Sequence, residues 1–252
     1  MASGPIADHA RRDFLRIAGS GLAAFALAAR PDLTLAQTAG PPLKIAMIGA
    51  GREGSALARL FAKAGHPVML SSRHPEQLKD LAAGIGPLAQ AGTVEQAIAF
   101  GDVVVIVIPY TAIEQIGKAH AGALAGKALV MDVSNPIPRR DGEDFVKSVN
   151  YQGGAGLVTA KLLPGARIVR AFNAIGSGRL AEIAHRPGTP VGVPIAGDDP
   201  KAIAVAEGLI REIGFEPVLV GGLAMGKHLV PGTPLGGERT PAEIRQVAAG
   251  LR

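Results

Sequence analysis

Three features of the sequence predict an α/β fold, built as a doubly wound, mostly parallel sheet with a small C-terminal α/β extension. An apolar strand, Lys44 to Ile48, runs into the glycine turn Gly49-Ala50-Gly51-Arg52-Glu53-Gly54 and then a helix with Leu57, Leu60, Phe61 and Ala64 at i, i+3, i+4 and i+7. The run Val103 to Ile108 is β-branched throughout, without polar alternation, as a strand buried on both faces must be. Strand and helix signals then alternate to the end of the chain. Repeated βα units of this kind wind into a right-handed sheet that takes its ligands at the carboxyl ends of the strands.

The elements follow in order. Residues 1–39 read as a leader: Arg11-Arg12-Asp13-Phe14-Leu15-Arg16 precedes the apolar run Ile17 to Ala29, and Thr34-Leu35-Ala36 or Gln37-Thr38-Ala39 offers a small-residue cleavage site. That run falls short of the roughly 20 apolar residues a membrane-spanning helix needs. The arginine pair resembles a Tat export signal, with Ala10 and Asp13 as departures, so export to the periplasm or beyond is expected, with the cytoplasm as the alternative.

Residues 40–165 read as the nucleotide-binding domain. After the first strand and its helix (55–64) come a strand over 68–70, a helix over 75–83 with Pro75 at its start and Gly84 past its end, and a short strand near 88–90. Thr93-Val94-Glu95-Gln96 opens the next helix as a capping box. Strand 103–108, helix 111–121 and strand 128–132 follow, and residues 137–154, with Arg139-Arg140-Asp141, read as a polar loop. Residues 166–252 continue the sheet and end in a tail: strand 167–172, helix 177–185, strand 191–196, helix 200–213, strand 217–220, the turn Gly221 to Gly226, and a helix over 241–249 capped by Thr240.

Composition bounds the chemistry. The chain has 252 residues, 48% hydrophobic and 19% charged, enough to bury a sizeable core. With no Cys, disulfides and thiol chemistry are excluded. A net charge of +5 and 4% aromatics give neither a basic stripe nor a stacking platform for nucleic acid. His9, His66, His74, His120, His185 and His228 are scattered without metal spacing, so no metal site is expected. A small-molecule acceptor is the expected partner, and a homodimer remains open.

The strand-turn-helix context makes the glycine motif a Rossmann fingerprint. Gly49 permits the tight turn, Gly51 lets a pyrophosphate approach the backbone, and Gly54 lets helix and strand pack closely. The helix N-terminus presents free N–H groups and partial positive charge to the diphosphate. An NAD site places Asp or Glu about 20 residues past the glycines, whereas this chain has Ser71-Ser72-Arg73-His74. A carboxylate would repel a 2′-phosphate and a guanidinium binds it, so the cofactor read is NADP(H). Gly49, Ala50, Gly51, Arg52, Glu53, Gly54, Ser71, Ser72, Arg73 and His74 are the expected cofactor contacts, with Ile108, Pro109 and Tyr110 beside the nicotinamide.

Together with the Ser72-Arg73 pair, the segments Met47 to Gly54, Ile106 to Pro109, Val169 to Asn173, Val193 to Asp199 and the Gly221-Gly222 turn resemble the coenzyme F-420-dependent NADP oxidoreductase family. The fold of that family is shared by the NADPH-binding domain of STEAP-type metalloreductases. The resemblance implies hydride exchange between NADPH and a deazaflavin, flavin or flavin-chelated ferric acceptor, which positioning alone can support without a general acid. It implies that Ala171, Asn173, Gly222 and Met225 line the acceptor pocket. A non-catalytic NADP-binding module serving a partner protein is the alternative. A hydroxyacid or pyrroline reductase would carry a long helical domain where only 26 residues follow Gly226.

Overall fold

The computed structural model describes Met1 and residues 41–251. The leader read over residues 1–39, Arg11 and Arg12 included, lies outside the described residues. From Pro41 onward the strands are β1 (Ile45–Ile48), β2 (Val68–Ser71), β3 (Ala89–Gly92), β4 (Val103–Ile106), β5 (Leu129–Asp132), β6 (Ile168–Arg170), β7 (Gly192–Gly197) and β8 (Glu216–Gly221). They form one sheet in the order β3-β2-β1-β4-β5-β6-β7-β8. The first six run parallel, and β7 pairs antiparallel with β6 through Val169↔Gly197 and Arg170↔Ala196. β8 runs parallel to β7, so the last two strands point their carboxyl ends away from the edge that carries the glycine turn.

Alternation along each strand sorts the core into two layers. Ile45, Met47, Val103, Val105, Leu129 and Met131 face α1 (Arg52–Lys63), α8 (Ser177–Ile183) and α9 (Pro200–Glu212). Their neighbours Ala46, Ile48, Val104, Ile106 and Val130 face α3 (Val94–Phe100), α4 (Ile113–Ala125) and α7 (Ala155–Leu162). Every residue of β1, β4 and β5 is buried, because helices cover both faces. At the far edge Val218, Val220, Leu229 and Leu235 pack with Ile244 of α10 (Pro241–Ala249). The capping boxes at Thr93 and Thr240 form as their sequences require.

Two expectations need correction. Residues 137–154 are mostly helical: α5 (Pro138–Asp141) and α6 (Glu143–Tyr151) occupy the stretch, and α7 follows at once. Gly142, Gly153 and Gly154 interrupt the pattern there, so only the Phe145 and Val149 pair on α6 marks a buried face. The helix after β2 (α2, Lys79–Ile85, preceded by a 3-10 turn) ends at Gly86, which takes φ 128°, and Gly84 lies within it.

A buried polar cluster sits under the carboxyl edge. Asp132 and Arg170 are the last residues of β5 and β6 and face each other in register, both fully buried, with Arg170 Nη1 donating to Asp132 Oδ2 at 2.5 Å. Asp132 also accepts from Thr159 Oγ1 (2.8 Å) and from the Ser134 N–H (2.9 Å). The second arm of Arg170 donates to the Ser134 carbonyl and to Asn135 Oδ1, both at 3.1 Å. Such a pair adds little over an apolar isostere, but leaving one charge unpaired in the core costs about 3–5 kcal/mol. Arg170→Met should lower the urea-unfolding free energy by about that amount, and adding Asp132→Leu should restore most of it; equilibrium denaturation of the single and double variants measures both.

Candidate functional site

The glycine turn is shaped by contacts that admit no side chain. Gly49 takes φ 104°, and a Cβ there would run into the Val107 carbonyl. A Cβ on Gly54 would strike the Gly49 carbonyl, so the first turn of α1 rests directly on the strand end. A Cβ on Gly51, by contrast, would meet nothing within 4 Å. That side of the loop is open, and the unpaired N–H groups at the start of α1 lie there, which is the arrangement a diphosphate needs.

Two cavities flank this loop and share Ile108 and Pro109. The larger, about 540 Å³, is lined by Gly49, Ser72 and Arg73, by Pro109, and by Gln115 and His120 of α4. Arg73 forms no ion pair or side-chain hydrogen bond among the described residues, so its guanidinium is available to a 2′-phosphate. Ser72 Oγ accepts from the His74 N–H at 3.0 Å and keeps its own proton to donate. The buried Ser71 hydroxyl donates to the Met47 carbonyl at 2.9 Å and fixes the strand end instead of reaching a ligand. His74 is exposed beside Glu76, outside the cavity.

The other cavity, about 480 Å³, lies across the loop. Its floor is Val133-Ser134-Asn135 after β5 and Phe172 to Ser177 after β6, and Ile137, Arg140 and Pro231 form its rim. Phe172 takes a left-handed conformation (φ 59°) and packs its ring edge-on against Phe215. Such a conformation costs a bulky residue about 1–2 kcal/mol. It turns the chain so that Asn173 Nδ2 donates to the carbonyls of Asp132 (3.1 Å) and Ser134 (3.3 Å), leaving Asn173 Oδ1 buried without a partner. Asn135 Nδ2 donates to the Asn173 carbonyl at 2.8 Å, and Arg140 Nη2 to the Asn135 carbonyl at 2.5 Å, tying floor to rim.

Arg52 and Glu53 line this cavity too. Arg52 is thereby on the opposite side of the loop from Arg73. Burial pushes the Glu53 carboxyl up to about 7, with the Ser177 N–H pulling partly the other way, and its Oε1 has no hydrogen-bond partner. A half-buried acid at the wall of a cleft is a feature the spacing of the glycine motif cannot signal.

Besides His74 and Ala50, which line neither cavity, four expected residues fall elsewhere. Tyr110 is fully buried beneath the cavity floor, donating to the Ala155 carbonyl at 2.6 Å and lying 2.9 Å from Thr159 Oγ1. Burial, reinforced by the Asp132 charge, pushes its phenol above the ordinary range. Ala171 belongs to the core. Gly222 abuts Asp198, whose carboxylate accepts from the Leu223 N–H, and Met225 packs in the outer apolar cluster. The reversal of β7 and β8 moves that turn away from the cavity. The sequence reading passed over Glu53 as an acid, His120 among scattered histidines, and Ile175, Ser177 and Pro231, which no motif marks.

The fold and the loop define an NADP-dependent oxidoreductase of the Rossmann class. Residues 44–136 match the family model described as NADP oxidoreductase, coenzyme F420-dependent, so this nucleotide-binding stretch is similar to that family. Among solved structures, a hypothetical protein of Sinorhizobium meliloti is 28% identical, over 79% of this chain and 95% of its own, with a TM-score of 0.64. A protein of Arthrobacter sp. FB24 assigned as an F420-dependent NADP-reductase is 22% identical over 73% and 87%, with a TM-score of 0.63. A 3-hydroxyisobutyrate dehydrogenase of Mycobacterium tuberculosis shares the fold at 18% identity and a TM-score of 0.54, this chain covering 57% of its length. Comparison with the curated proteins finds no significant match.

Because Gly51 has open space beyond its Cα, Gly51→Val should leave thermal stability nearly unchanged while abolishing both NADPH and NADH binding. Fluorescence titration of the variant with each nucleotide checks this, and retained binding would place the diphosphate elsewhere.

Proposed function

We propose that this oxidoreductase passes a hydride between NADP(H) and a flavin-type ring: a deazaflavin, a flavin or a flavin-chelated ferric acceptor. The observation that carries the reading is the junction of the two cavities at Ile108-Pro109. A dinucleotide with its adenosine 2′-phosphate at Ser72 and Arg73 and its diphosphate on the start of α1 would bring its nicotinamide end to that junction. The space beyond it has Ile108, Pro109, Val133, Ile175 and Pro231 among its walls, apolar surface against which a flat ring could be positioned. The family match and the assigned name of the Arthrobacter relative favour the same acceptor class. A nicotinamide cofactor supplies the hydride chemistry when bound; the chain binds it, orients it and shields it.

Oxidation of NADPH against a panel of deazaflavin and flavin acceptors, with and without ferric chelate, tests the proposal. Turnover with one class names the acceptor, while tight NADPH binding without turnover on any would favour a module that holds the nucleotide for a partner. Arg73→Ala should weaken NADPH by about 10- to 100-fold, the worth of a lost charge-assisted contact, and leave NADH within about 2-fold. Equal losses for the two nucleotides would overturn the 2′-phosphate assignment.

The leader extends the proposal to location: an already folded, nucleotide-loaded domain would be exported through the Arg11-Arg12 signal. Replacing both by Lys should abolish export, read by fractionating cells that express the full chain; unchanged distribution would place the enzyme in the cytoplasm.

A further inference from the structure

Reduction of a flavin-type ring is not hydride transfer alone. The ring takes one hydride with its electron pair and, to end neutral, one proton, so a site for this reaction gains from an acid within reach of the acceptor. Among the charged side chains lining the smaller cavity, Arg52, Glu53 and Arg140, only Glu53 can serve as that acid, since guanidinium groups keep their protons. Glu53 stands in the first turn of α1, beside Gly54 and across from Asn173, Ile175 and Ser177. It is half-buried, and its Oε1 is enclosed without a hydrogen-bond partner. A buried carboxyl oxygen without a partner is costly when ionised, and protonation of the group lessens that cost.

We propose that Glu53 is the proton donor that accompanies hydride transfer in this cavity. The proposal rests on the flavin-type acceptor argued above. Glu53 gives its carboxyl proton to a ring nitrogen of the acceptor as the hydride leaves C4 of the dihydronicotinamide. NADPH is thereby oxidised to NADP+, the acceptor is reduced by two electrons, and the O–H bond of Glu53 is exchanged for an N–H bond on the product. The carboxylate then recovers a proton from solvent through the cavity mouth. In the reverse direction the same carboxylate takes the proton back.

The surroundings keep the group in this role. Charged residues on its own helix are Arg52, Arg59 and Lys63; the elements packed against that helix carry Lys79 and Asp80 (α2) and Arg179 and Glu182 (α8), and Arg140 with Asp141 stands at the cavity rim. Arg179 pairs with Glu182 at 2.7 Å and with Glu238 at 2.8 Å, and Arg140 pairs with Asp141 at 2.8 Å. None of them governs Glu53. Its carboxyl is held up to about 7 by burial, against the pull of the Ser177 N–H, so at neutral pH it is poised both to hold a proton and to release one.

Glu53→Gln keeps the shape and removes the proton. Its kcat for acceptor reduction should fall about 100-fold, the usual worth of a positioned acid, while the NADPH Kd stays within about 3-fold. The wild-type kcat should decline as pH rises through about 7, since the donor must be protonated, and the variant should lose that limb. The wild-type protein gives a second readout: calorimetric NADPH titrations at pH 7.5, in buffers of different ionisation heat, should show fractional proton uptake as the nucleotide covers the carboxyl. A variant with wild-type kcat and pH profile, or binding enthalpies that do not vary with buffer, would overturn the proposal. A wild-type protein that binds NADPH but reduces no acceptor would overturn it too, and would be recognised as failure of the acceptor reading because the loss precedes any substitution.

Discussion

The carboxyl edge of the sheet is organised by the buried Asp132–Arg170 pair. Both residues end neighbouring strands, and both grip the loop after β5: Asp132 holds the Ser134 N–H, and Arg170 holds the Ser134 carbonyl and Asn135 Oδ1. A fully buried pair of this kind adds little net stability compared with apolar packing. What it does supply is direction. The Ser134-Asn135 segment is gripped from below by two charges, and Asn135 and Asn173 then lock the loops after β5 and β6 to each other. The floor of the smaller cavity is therefore set before any ligand arrives, as preorganised catalysis requires.

Layering repeats the same logic on the helix side. Thr159 of α7 reaches Asp132, and Tyr110, at the start of the helical segment after β4, meets Thr159 and the Ala155 carbonyl. A close approach makes this possible: a Cβ on Gly156 would strike the Leu223 carbonyl, so α7 and the 3-10 segment Leu223–His228 press together over Arg170. The turn after β8, read from the sequence as a pocket wall, thus acts as a buttress. It supports the ion pair from behind and leaves the cavity to Pro231, which the chain brings back to the rim.

Much of the nucleotide half was legible because its signals are local. A strand, three glycines and a helix of period 3.6 occupy consecutive residues, and Ser72-Arg73 follows at the end of the next strand, so position in the chain maps directly onto position in the site. The smaller cavity was legible only in part. Asn173, placed by its position just past a strand, lines that cavity, but Tyr110 also follows a strand end and points into the core, a choice made by Thr159 and Ala155, 45 or more residues away. Gly222 and Met225 were misplaced because strand direction is not encoded in hydrophobic runs: β7 reads like any buried strand, and only its pairing with β6 shows the reversal. Helices α5 and α6 were hidden by glycines, which punctuate short helices and loops alike.

The hydrogen-bond inventory narrows what the site can read. Along the carboxyl edge the Ser71 hydroxyl, the Ser134 hydroxyl, the Asn135 amide and the Asn173 amide N–H groups are already engaged within the protein. Groups without a partner in the protein include the N–H groups opening α1, the Arg73 guanidinium, the Ser72 hydroxyl proton, Asn173 Oδ1 and the Glu53 carboxyl. The first two are donors matched to phosphate and lie toward the adenosine side and the loop. The last two bring a carbonyl oxygen and a carboxyl, and both belong to the other cavity. Both unpaired oxygens, Asn173 Oδ1 and Glu53 Oε1, are enclosed by the protein, so neither by itself selects among acceptors.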